Sequence, residues 1–200
     1  MQGLADLELI DLWYLDESGF APTLPTGYTW ARAKLRALVW DEPSQGRRLN
    51  VLGALAVGGA TPGLTWTVPA GKLDSAAFLE FVWREVATLP GPPAHLPLGY
   101  RRARPGVIVL DNYSVHRSAA VKTALTDLER IGVGFYYLPP YSPDLNRIEE
   151  VWRHVKYEDL PVRSYQTLDA LRTAVADALN HHAVPLTDAT DATTNLPEAA

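Results

Sequence analysis

Apolar positions along this chain fall in short blocks, and the period of each block predicts its element. Leu7–Leu15 (LELIDLWYL) is apolar on both parities and rich in β-formers, which predicts a central strand covered on both faces and ending at Asp16. Leu49–Val57 (LNVLGALAV) predicts a second strand, stopped by Gly58 and Gly59, and Leu64–Val68 a short partner paired with it as a hairpin. Phe78, Leu79, Val82 and Val86 share one face of a helix over 75–89, capped by Asp74 or Ser75 and ended by Pro90. Residues 90–105 read as a Pro-rich loop with a basic end. Gly106–Leu110 (GVIVL) predicts a short buried strand ending at Asp111. A helix over 118–131, a strand over 132–138, a helix over 147–157 and a last helix over 166–182 complete the pattern. Residues 19–48 show no clear period, and a second strand pair there is one reading. From Val184 onward the Thr/Ala/Asp/Pro composition predicts a flexible tail.

The first three strands have short links and are expected to be antiparallel, whereas the later strands alternate with helices and imply parallel crossovers. The expected architecture is a mixed five-stranded α/β sheet flanked by helices, one domain over 1–183 and a tail over 184–200. Such sheets place ligands outside the carboxyl ends of their parallel strands, and Asp16 and Asp111 are expected at two of those ends.

Composition narrows the chemistry. No cysteine is present among the 200 residues, which excludes disulfides, thiolate zinc sites and cysteine nucleophiles. No apolar run is long enough for a spanning helix, and no basic-plus-apolar leader opens the chain, so no membrane partner and a cytoplasmic location are expected. The net charge of −5 argues against nucleic acid until its distribution is considered. Residues 1–31 and 173–200 contain no Lys or Arg, so all 18 bases lie between them and that middle section is positive on balance.

Three acids stand out: Asp16 in LDESGF, Asp111 in VLDNYSVH and Glu149 in PPYSPDLNRIEEVW. Delivered to one end of a sheet, they would make an oxygen-ligand site for Mg²⁺ or Mn²⁺. Two such ions ~3.5–4 Å apart clamp both the attacking and the leaving oxygen of a phosphodiester. Each acid also has a plainer reading. Asp16 fits a turn after a strand, Asp111-Asn112 an Asx turn, and Asn146-x-x-Glu149 a capping box. Their shared end of the sheet favours the joint reading. Helical angle separates Glu149 from Glu150. At 100° per residue Ile148, Val151, Trp152 and Val155 form one apolar face, and Glu149 lies roughly 110° from its centre against roughly 150° for Glu150.

The blocks LDESGF, VLDNYSVHRS and LPPYSPDLNRIEEVWRHVK together resemble the three signature blocks of DDE-type transposases of the mariner superfamily, in its bacterial insertion-sequence branch. The likeness runs over roughly residues 8–180. It implies a ribonuclease H-like fold, two Mg²⁺ or Mn²⁺ ions, and metal-dependent DNA cleavage at transposon ends with strand transfer into target DNA. It implies Asp16, Asp111 and Glu149 as catalytic metal ligands. The implied partner is double-stranded DNA, both transposon ends and target, with the enzyme a homodimer when active and associated with the bacterial nucleoid. Members usually have Pro where this chain has Arg147. They also carry N-terminal helix-turn-helix modules, which are not expected here because the first catalytic strand is predicted within about ten residues of Met1. A separate recognition polypeptide, a truncated piece or a decayed copy would account for that. The rival functions are a ribonuclease H-like nuclease and an inactive remnant that binds DNA or a partner.

Asn112, His116, Arg147 and Arg153 are candidates to orient the acids or contact DNA. Asn112 would donate to Asp111, and His116 would position a phosphate or water unless it is a capping or surface residue. His154 fits either a place near the metals or a solvated face. Arg101, Arg102 and Arg104 form a basic loop that either grips DNA or is merely solvated. Arg32, Lys34, Arg36, Arg47 and Arg48 with Trp30 and Trp40 make a candidate DNA-facing ribbon. Trp13, Trp83 and Trp152 are expected in the core.

Overall fold

The computed structural model describes residues 1–22, 33, 48–58, 63–160 and 165–183. Trp30, Arg32, Lys34, Arg36, Trp40, Arg47 and the residues from Val184 onward lie outside the described residues.

Five strands form one sheet in the order β3-β2-β1-β4-β5. They are β1 (Asp11–Phe20), β2 (Leu49–Ala56), β3 (Gly63–Thr67), β4 (Gly106–Leu110) and β5 (Val133–Tyr137). As expected, β1, β2 and β3 pair antiparallel, while β4 runs parallel to both β1 and β5.

The helices are α1 (Gln2–Asp6), α2 (Ser75–Phe81), α3 (Ala119–Arg130), α4 (Ile148–His154) and α5 (Leu168–Ala183). Both α2 and α4 run on into a π-helical turn, over Val82–Val86 and Val155–Asp159. Asp74 caps α2 by accepting from the N–H groups of Ala76 and Ala77, and Ser118 caps α3 by accepting from Val121 N–H.

The sheet is covered on both faces. Leu15, Leu52, Ile108 and Leu110 pack with Phe78, Phe81, Val121 and Leu128 of α2 and α3. Phe20, Val51 and Leu64 pack with Ile148, Trp152, Leu171 and Val175 of α4 and α5. Each such side chain removed from water contributes about 1.5–3 kcal/mol before entropy is counted. Trp152 is buried, while Trp13 and Trp83 are only partly buried against the first cluster.

The first strand starts and ends later than predicted. Residues 2–6 are helical, and Leu7 and Leu9 are exposed. β4 begins opposite Asp11 and β2 ends opposite Trp13, so residues 7–10 have no neighbouring strand to satisfy their backbone. At the other end β1 continues past Asp16 because β2 pairs with it as far as Phe20 opposite Leu49. Asp16 is therefore a mid-strand residue. β1 outruns β4 here. The parallel register places Tyr14 beside Val109, and two steps further Asp16 comes beside Asp111, where β4 has left the sheet.

Gly53 pairs with Asp16 across β1 and β2, so both lie on the α4 face. A Cβ at Gly53 would sit 2.5 Å from Cη2 of Trp152. Gly53→Ala is expected to lower stability by about 1–3 kcal/mol through overpacking. A thermal melt checks this, and an unchanged midpoint would mean that the indole yields freely.

Candidate active site

Alternation along β1 sends neighbouring acids to opposite faces of the sheet. Asp16 faces α4, where Trp152 Nε1–H donates to its Oδ2 at 3.1 Å. Glu17 faces α2 and α3 and lies 2.8 Å, through Oε1, from Nε2 of the buried His116. The other ring nitrogen, Nδ1, lies 3.0 Å from Asp111 Oδ1. That same oxygen accepts the Tyr113 N–H at 2.8 Å. The Asx turn weighed for Asp111 is thus present, and it fixes the carboxylate as it leaves β4.

His116 is therefore neither a surface residue nor a helix cap. Its ring lies against Phe78, with centroids 4.6 Å apart. Burial works against its protonation, but the Glu17 hydrogen bond, with the charges of Glu17 and Asp111, outweighs burial and raises its pKa. That favours the doubly protonated ring, which donates at both nitrogens and ties Glu17 to Asp111.

Glu149 sits in the first turn of α4. Asp16, Asp111 and Glu149 line one cleft of about 430 Å³, along with Asn146, Tyr113 and Tyr141. Glu150 is not among its lining residues. Burial pushes the Asp16 carboxyl up to about 7, helped by repulsion from Glu149, Glu17 and Asp111. The predicted capping box is absent. Arg147 takes the N-cap position with helical backbone angles, and Asn146 instead donates from Nδ2 to the Leu15 carbonyl at 3.2 Å. A short polar side chain thereby fastens the start of the Glu149 helix to the residue preceding Asp16.

The donor chemistry fits a hard divalent cation. All three side chains offer oxygen, and burial of Asp16, with the repulsion of Glu149, Glu17 and Asp111 added to it, holds a proton there near neutrality. Asp111 and Asp16 each commit one carboxylate oxygen to the protein, which leaves the other for an ion. Asn146 Oδ1 is a further buried oxygen without a partner among the described residues.

A second cleft of about 550 Å³ shares Asp16, Asp111 and Tyr113 with the first and adds the cations Arg48 and Lys72. Lys156 on the π-helical turn lies close enough for the charges of Glu149 and Asp16 to oppose the burial that lowers its pKa. Glu17, Lys72, Asn146 and Lys156 are site residues that the sequence reading missed. Lys156 was accessible to it, since it follows Glu149 by seven positions and so shares its helix face.

Of the remaining candidates, Asn112 lines the acid cleft, while Arg147, Arg153, Arg102 and Arg104 do not. Asn112 donates to the Leu138 carbonyl at 2.6 Å and accepts from Arg117, so the expected donation to Asp111 is not made. Arg147 is exposed and donates to Gln2 Oε1 at 3.0 Å, and Arg153 is exposed on α4. Arg102 and Arg104 do not reach the acids. Both are ion-paired to Asp11 at the opposite end of the sheet, beside a cleft of about 770 Å³.

Residues 11–172 match the family model described as DDE superfamily endonuclease. Over 156 residues the chain is 28% identical to the Shigella sonnei "Insertion element IS630 uncharacterized 39 kDa protein", a match covering 78% of this chain and 40% of that protein. The solved Mos1 transposase paired-end complex with left transposon end aligns with a TM-score of 0.59 at 15% identity, covering 86% of this chain and 48% of that one. The Mos1 mariner paired end complex with Mn aligns with a TM-score of 0.54 at 14% identity, covering 88% and 49%. These likenesses show that the ribonuclease H-like fold expected from the sequence is the one present. The chain spans less than half the length of each of these relatives.

Proposed function

The chain belongs to the DDE superfamily endonuclease family, and from that premise we propose that it is the catalytic domain of a metal-dependent DNA transposase. In this reading it hydrolyses a phosphodiester at the transposon end and then joins the freed 3′-OH to target DNA. The observation that carries the reading is the single cleft lined by Asp16, Asp111 and Glu149, where burial, reinforced by the charges of Glu149, Glu17 and Asp111, keeps a proton on Asp16 up to about pH 7.

Asp16, Asp111 and Glu149 would hold two Mg²⁺ or Mn²⁺ ions, which supply charge stabilisation and a lowered water pKa when bound. The chain's own residues do the positioning. His116 and the Tyr113 N–H hold Asp111, Trp152 holds Asp16, and Asn146 anchors the helix bearing Glu149. Arg48 and Lys72 flank the acids and suit DNA phosphates. No protein nucleophile is needed, because in-line displacement asks for geometry and charge rather than covalent chemistry.

Double-stranded DNA is then the substrate, at the transposon ends and at the target. Two copies working together would hold two ends, and a separate polypeptide or segment would supply end recognition. Among the described residues no helix is long and apolar enough to cross a membrane, and activity on DNA would place the protein at the nucleoid.

A strand-transfer assay tests the proposal. The protein, with Mn²⁺, is given a labelled duplex copied from the termini flanking its own gene together with a target plasmid. Joined products are expected. Hydrolysis without joining would replace transposition with a nuclease of the same fold, and no metal-dependent product at all would remove the enzymatic reading.

A further inference from the structure

Away from the acid cleft, the geometry points to a second, zinc-type cation site formed by His154, Asp159 and His182. His154 ends α4, Asp159 closes the π-helical turn that follows it, and His182 lies in the last turn of α5. One ligand atom from each of the three lies within 4.8 Å of the others.

The carboxylate stands between the two rings. Asp159 Oδ2 is 2.6 Å from His182 Nε2, and Oδ1 is 3.6 Å from His154 Nε2. Zinc bonds of about 2.0–2.1 Å place tetrahedral ligand atoms roughly 3.4 Å apart, so small side-chain shifts close the set around one ion. A separate contact already aims one ligand. Glu158 Oε2 lies 3.3 Å from Nδ1 of His154, which favours the tautomer with the proton on Nδ1 and leaves the Nε2 lone pair, on the Asp159 side, free to ligate an ion. A carboxylate behind a histidine is the usual way a protein sets the tautomer of a metal ligand.

Two imidazole nitrogens and one carboxylate select Zn²⁺, Co²⁺ or Ni²⁺ over Mg²⁺, which prefers oxygen throughout. Three protein ligands leave a fourth position for water. None of the three residues lines the acid cleft, so the site does not depend on the transposase reading. Its consequence is mechanical. An ion there cross-links the end of α4, whose first turn carries Glu149, to α5.

Cobalt titration of the Asp16→Asn/Asp111→Asn double variant tests this, since that variant silences the acid cleft. One equivalent of Co²⁺ is expected to bind with visible ligand-field absorption, and Zn²⁺ but not Mg²⁺ should displace it. His154→Gln and His182→Gln, each added to that variant, should abolish the absorption, and Glu158→Gln should weaken binding about tenfold or more. Circular dichroism establishes that each variant is folded. Absence of binding to the folded double variant overturns the proposal whatever the histidine variants do. Binding that survives both histidine substitutions also overturns it, and would leave the three side chains as a hydrogen-bonded staple only.

Discussion

Glu149→Gln is expected to reduce metal-dependent DNA cleavage by about 10²–10³-fold or more, the scale of deleting one preorganised electrostatic stabiliser, while Glu150→Gln keeps most of it. Both acids are exposed in the first turn of α4, and both residues give the same favourable charge at a helix N-terminus. Local helix chemistry therefore cannot distinguish the two substitutions. Position does. Only Glu149 lines the cleft with Asp16 and Asp111, and its charge helps to raise the pKa of Asp16. Gln is nearly isosteric with Glu, so the Asn146 anchor and the packing of Ile148 and Trp152 should persist in both variants. Cleavage rates of the two variants in Mn²⁺, with melting curves to establish equal folding, decide the matter. Equal activity would detach Glu149 from the chemistry, and loss confined to Glu150→Gln would reassign the third acid.

What was legible in the sequence was whatever a short window determines. The runs at Leu49–Ala56 and Gly106–Leu110 are apolar blocks bounded by Gly, Asp or charged loops, and they became strands with bounds one residue or less from those expected. The Asp74 cap likewise needed only its own turn. The misreadings came from distant partners. Whether β1 stops at Asp16 depends on β2, which lies more than thirty residues away in sequence and escorts the strand to Phe20. Asn146 fits a capping box by spacing, yet the carbonyl of Leu15 claims its side chain. His116 looks like a polar residue before a helix, but Glu17 from across the sheet pairs with it and makes its burial tolerable. Arg102 and Arg104 look available for DNA in one dimension and are ion-paired to Asp11 and Glu8 in three. Asp16 and Asp111 stood out because each follows an apolar run, and Glu149 because of its angle to the apolar face of its helix. Of the residues that hold them in place, His116 was a candidate, whereas Trp152 and Asn146 were not, since their partners lie on other elements.

Asp16→Asn should make the metal-free protein more stable while removing its activity. In the folded chain Asp16 ionises near 7 rather than at its ordinary 3.8, chiefly because it is buried and secondly because Glu149 and Glu17 repel it. Folding therefore takes up a proton between those values. The group's favourable contribution is complete below about pH 4 and is lost as pH rises through about 7, above which a buried carboxylate opposes folding by a few kcal/mol. Asn carries no charge at any of these pH values and keeps an oxygen for the Trp152 N–H. In EDTA the variant should melt about 5–10 °C above the parent at about pH 8, because each kcal/mol moves the midpoint of a chain this size by about 2–4 °C. The gap should shrink steadily on going from about pH 7 to about pH 4, where both chains are neutral at this position. Saturating Mn²⁺ should narrow or reverse it, since the parent gains stability by mass action from an ion that the variant holds poorly. A variant that melts below its parent at about pH 8 in EDTA would mean that the acids are not in conflict, and it would remove the charge crowding on which the cation site rests.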